Sequence, residues 1–167
     1  MKKRGFLLIF LAILVILCTG CKSTQAGSTI YGFTQRMNNI NDSYNLTDNG
    51  YIFDEHEKSF SKYIKISDEE ILLKFLTDNK NRTDTLHIVL THKAIQNNSQ
   101  IKTFINDCVY AFYESDEETE QLLSTIDFEK SISEVSPITN CAETENIKME
   151  IDTTYLGTVI SLYIIFN

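Results

Sequence analysis

The spacing of apolar residues changes along this chain, and that change constrains the fold more than any other feature. Leu86, Ile88 and Leu90 alternate with other residues through residues 85–91, the period of a strand with one buried face. Ile101, Phe104, Ile105, Cys108 and Phe112 recur at three- and four-residue steps, the period of a helix, and Ser99 opens that run. Alternation returns at Ile147, Met149 and Ile151, set against Lys148, Glu150 and Asp152, so this strand is wet on one face. Residues 157–166 are apolar at nearly every position. They read as a central strand, either covered on both faces or covered and paired on both edges.

The remaining elements fit around these. Ser28 is read as the cap of a helix running to about Asn39, with Ile30, Phe33, Met37 and Ile40 on one face. Residues 51–53 and 60–66 read as strands flanking a polar turn at 54–58. Residues 67–76 carry two signals. Ser67 and Glu70 make a capping box, which favours a helix, while Ile71, Leu73 and Phe75 alternate ahead of a polar turn, which favours a strand. The strand is the better reading, because residues 85–91 are its natural partner across that turn. A second helix starts at the capping box Ser115-x-x-Glu118 and carries Leu122, Leu123 and Ile126. Asp116, Glu117 and Glu118 suit its positive end, and Pro137 falls in the loop beyond it.

The resulting order, α-β-β-β-β-α-α-β-β, predicts an α+β domain. It has an antiparallel sheet of about five to six strands and about three helices packed mainly on one face. An opening helix followed by a meander is similar, in element order, to cystatin-like and nuclear-transport-factor-like folds. Small lipoproteins of bacterial envelopes also resemble this pattern.

The first 21 residues stand apart. Lys2, Lys3 and Arg4 precede an uncharged apolar run at residues 6–17, and Thr19, Gly20 and Cys21 follow it. At about 1.5 Å per residue the run is too short for a hydrocarbon core of roughly 30 Å, and it matches the apolar stretch of an export signal. The segment resembles the lipobox of bacterial membrane lipoproteins, with Gly20 as the small residue and Cys21 as the modified cysteine. Cys18 stands where an aliphatic residue is usual. The resemblance implies a signal peptide at residues 1–20 and a lipidated cysteine with a polar tether at 21–27. Residues 28–167 then form a single extracytoplasmic domain. Two acyl chains on Cys21 would give stable anchoring to the cell membrane, or to an outer membrane where one exists. The alternatives are a retained N-terminal membrane helix and cleavage without lipid.

Loss of residues 1–20 leaves 147 residues with 12 basic and 23 acidic side chains, a net charge of −11 against −8 for the whole chain. That balance argues against a nucleic-acid partner and suits solubility or a protein partner with a basic surface. Besides Cys21, Cys108 and Cys141 remain in the mature chain. Outside the cytoplasm they are candidates for a disulfide, with core packing as the alternative for Cys108.

No familiar catalytic arrangement emerges. His87 and His92 stand five apart near a strand, which puts them on opposite faces, and His56 lies in a charged turn. There is no paired Cys/His spacing for a metal, no nucleophile elbow and no glycine-rich phosphate loop. Most carboxylates fall at helix starts and turns. The tyrosines, including Tyr44, Tyr51, Tyr63, Tyr110, Tyr113 and Tyr155, either pack on the sheet or line a groove. The expectation is a lipid-anchored, non-enzymatic binding module, of inhibitor or immunity type, with no cofactor, no metal and no catalytic residue assigned. The alternatives are a small-ligand receptor or enzyme with a pocket between helices and sheet, and an accessory subunit of an envelope complex.

Overall fold

The computed structural model describes residues 29–78, 82–96, 98–113, 115–126, 139–153 and 159–166. Cys21, the tether, Pro137 and Tyr155 lie outside the described residues.

The chain opens with α1 (Ile30–Ile40), and a 3₁₀ turn follows at Asp42–Tyr44. The strands β1 (Ile52–Asp54), β2 (Ser59–Ile66), β3 (Glu69–Thr77) and β4 (Thr83–Thr91) come next. Three helices follow: the short α2 (His92–Gln96), then α3 (Ser99–Phe112) and α4 (Asp116–Thr125). The strands β5 (Thr139–Glu143), β6 (Ile147–Thr153) and β7 (Val159–Phe166) complete the order. All seven strands join one antiparallel sheet in the spatial order β1-β2-β3-β4-β7-β6-β5.

The α+β class holds, with seven strands rather than five to six and four helices rather than about three. The extra strand is β5, whose Thr-Asn-Cys-Ala-Glu has little β preference of its own and pairs only with β6. The extra helix is α2, a little over one turn long. The strand reading of residues 67–76 holds over Glu69–Thr77. The two-residue turn to β2 places Ser67 in the left-handed region at φ 55°. β7 pairs on both edges, with β4 and β6, while its burial alternates along the strand. Pairing rather than double coverage therefore explains its apolar sequence.

Helix starts differ in detail from the sequence reading. Thr29, not Ser28, caps α1, its Oγ1 accepting the Gly32 N–H at 3.0 Å. α3 does begin at Ser99, and Asn98 before it supplies the cap by accepting from the N–H of Gln100. Ser115 stands at the start of α4 but makes no side-chain cap bond. Glu118, the other half of the expected box, instead accepts from Thr144 Oγ1 and Asn146 Nδ2, each at 2.7 Å. Those donors in the β5–β6 turn hold the carboxylate away from the helix start.

One face of the sheet packs against the helices. Phe75 of β3 lies at its centre, its ring set edge-on against Phe33 at 5.1 Å and Tyr51 at 5.6 Å, with Phe112 at 6.5 Å. Phe33, Met37, Phe104, Ile105, Cys108 and Phe112 come down from α1 and α3 and are fully buried. The layer between helices and sheet is thus filled by apolar side chains. No described helix is long and apolar enough to cross a membrane.

Candidate interaction surface

Strand register shows what occupies the other face. Partners across an antiparallel ladder share a face. One complete row runs Ile52, Ser61, Lys74, His87, Tyr163, Glu150, Cys141 from edge to edge. A second runs Tyr63, Leu72, Val89, Ser161, Asp152, and a third runs Leu76, Thr85, Ile165, Lys148. The central strands therefore contribute Leu72, Leu76, Val89, Tyr163 and Ile165, while charged residues concentrate toward the flanks. No described helix packs on this face.

At its centre the ring of His87 stacks on Tyr163, with centroids 4.1 Å apart and planes 15° from parallel. Nε2 of His87 is buried without a hydrogen-bond partner. Burial, reinforced by the nearby Lys74 ammonium and opposed by Glu57, lowers the imidazole pKa to about 4. At neutral pH the ring is uncharged and acts as a flat packing surface. Lys74 is spoken for, its ammonium paired with Glu57, and Lys148 pairs with Glu150 in the same way.

The edge at β1 and β2 is different. Ile52 is 73 % exposed, Tyr63 68 % and Phe53 52 %, the most exposed large apolar residues of the described sheet. Ile52 and Tyr63 are diagonal neighbours on the open face, while Phe53, in register with Phe60 and Phe75, lies on the opposite, helix-bearing side and leans on Phe60 with ring centroids 4.7 Å apart. Of the tyrosines, Tyr44, Tyr51 and Tyr113 pack into or against the core, and Tyr63 stands out in solvent. Tyr44 also donates to Asp107 Oδ2 at 2.6 Å, and burial with that bond raises its phenol pKa.

The sequence candidates do not converge. Cys108 is buried in α3 beneath the helix-covered face, and Cys141 is exposed on the open face of β5. Both are free thiols with the sheet between them, and Cys108 takes the core-packing alternative rather than the candidate pairing. Burial, with Asp107 beside it, raises the Cys108 thiol pKa, which makes it an inert core residue. His87 lies within β4 and His92 begins α2. Among the described residues no cluster of three His, Cys, Asp or Glu is placed to hold a metal.

Two surface clefts stand out among the described residues. One of about 230 Å³ lies between the β2–β3 turn and the start of α3, with Ser43, Tyr44, Lys65, Ser67, Ser99 and Gln100 in its wall. The other, a more open groove of about 560 Å³, runs along α1 and α3 beside Arg36, Ile40, Asp107 and Tyr110. The first reaches Ile66, a buried residue of the helix-covered face, at the rim of the layer between helices and sheet. Neither a protein-family model, a curated protein nor a solved structure matches this chain.

Proposed function

We propose that this protein is a lipid-anchored, extracytoplasmic binding module that engages a protein partner through the open sheet face and its β1–β2 edge. The exposed pair Ile52 and Tyr63 on the open face carries this reading. Exposed aromatic and aliphatic side chains grouped at one place, next to half-buried apolar neighbours and rimmed by charge, have the composition of an interface centre. The N-terminal cationic stretch, apolar run and Cys21 support the anchor, and a tether of six residues would leave the domain free to meet a neighbour in the envelope. The net charge of −11 on the mature chain suits a partner whose surface is basic, since opposite charge speeds encounter. An accessory subunit of an envelope complex would use the same surface. The filled layer between helices and sheet favours surface recognition over an internal ligand pocket.

Cross-linked pull-down from the protein's own envelope tests this, with the wild-type chain and the Ile52→Ser and Tyr63→Ser variants compared at low and high salt. The expected result is one partner that the wild type recovers, that weakens with salt and that either variant loses. Equal recovery by all three proteins would refute the assignment of the surface.

A further inference from the structure

The uncovered backbone beside this pair identifies the mode of binding. β1 is only three residues long and pairs with residues 59–61 of β2. Before Ile52 the chain leaves the sheet edge. Gly50 adopts φ +81°, a conformation that favours glycine, and Lys62 Nζ draws in the carbonyl oxygens of Thr47 at 3.2 Å and Asn49 at 2.6 Å. Residues 62–66 of β2 are therefore paired with β3 on one side, and among the described residues no backbone hydrogen bond reaches them on the other. Such an edge is a template for another strand.

We infer that the outer edge of β2 over residues 62–66 accepts an extended segment of the partner protein as an added strand. That segment carries an apolar side chain against Tyr63 and a carboxylate against Lys65. Five residues at about 3.3 Å each give roughly 17 Å of ladder, the length of an ordinary strand. Tyr63 and Lys65 are two apart and share the open face, so the incoming strand reads as apolar and acidic residues separated by one position. Lys65 is 64 % exposed; the carboxylates beside it, Asp68 at 3.6 Å and Glu70 directly opposite on β3, are both exposed and compete only weakly. A second copy of this chain is the poorer occupant, because pairing β2 with itself gathers two Lys62 and two Lys65 side chains on one ribbon. The inference rests on the binding reading above and specifies its chemistry.

The test uses the full-length chain in detergent micelles and three fluorescein-labelled octapeptide designs, the third made in two forms. The first has threonine at every second position, with valine and glutamate alternating between. The second replaces glutamate with lysine. The third is the glutamate peptide methylated on every second backbone nitrogen, made in both phases. Anisotropy is expected to show the glutamate peptide binding roughly tenfold tighter than the lysine peptide, and tighter than at least one methylated form. Amide exchange at residues 62–66 is expected to slow on binding. Lys65→Glu, an exposed substitution whose fold circular dichroism checks, should reverse the preference between the glutamate and lysine peptides. Equal binding of both methylated peptides, an unreversed preference, or no binding of any peptide overturns strand addition. If the pull-down partner is still lost on Ile52→Ser while the peptides fail, the binding module stands and only the added strand falls.

Discussion

His87 shows how a single side chain couples this sheet to pH. In the unfolded chain an imidazole titrates near 6.5, whereas in the fold burial and Lys74 hold it near 4. Between those values the unfolded state binds more protons, so stability falls as pH drops from about 6.5 to about 4. The loss is of order 1–2 kcal/mol once solvent access to the half-buried ring is allowed for. Urea titrations at pH 7 and pH 4.5 on the wild type and His87→Gln isolate it, and the variant should lose less stability by that amount. Lys58 offers a second test at this scale. It sits at φ 49° in the turn between β1 and β2, where a side chain is strained and glycine is not. Lys58→Gly is expected to raise stability by about 0.5–1 kcal/mol, read as a higher melting temperature.

Elements are joined here by a few polar contacts that no local pattern announces. Glu118 links α4 to the β5–β6 turn through Thr144 and Asn146. Burial alone would raise its pKa, but the hydrogen bonds from Thr144, Asn146 and Tyr113 outweigh that and hold it below the ordinary glutamate value. Glu118→Ala should cost about 1–2 kcal/mol in chemical denaturation, with faster amide exchange in β5 and β6 before the rest of the sheet. The same residue marks the limit of sequence reading. Ser115-x-x-Glu118 has the pattern of a capping box, yet the donors that claim Glu118 lie far along the chain in a turn that local spacing does not bring near. Alternation at Ile71, Leu73 and Phe75 decided β3 correctly over the rival box at Ser67, because a buried face outweighs a cap worth about 1 kcal/mol. β5 escaped notice because its five residues have almost no apolar period, and only pairing with β6 defines them. The exposed edge was illegible for a related reason. Ile52, Phe53 and Tyr63 look like core residues until β1 proves to be the outermost strand.

Across the whole molecule, Phe75 sits where α1, α3, β1 and β3 meet, packed against Phe33, Tyr51 and Phe112. Phe75→Ala should cost about 3–5 kcal/mol and turn a single sharp unfolding transition into a broad one, as differential scanning calorimetry would show. The order β1-β2-β3-β4-β7-β6-β5 has a further consequence for how the sheet holds together. Among the described strands, the meander of β1 to β4 and the hairpin of β5 and β6 are hydrogen-bonded into one sheet only through β7. Until β7 is in place, no strand ladder joins the two halves. β7 is thus the keystone of the sheet, and a variant that keeps β7 from pairing should split one cooperative sheet into two open-edged halves.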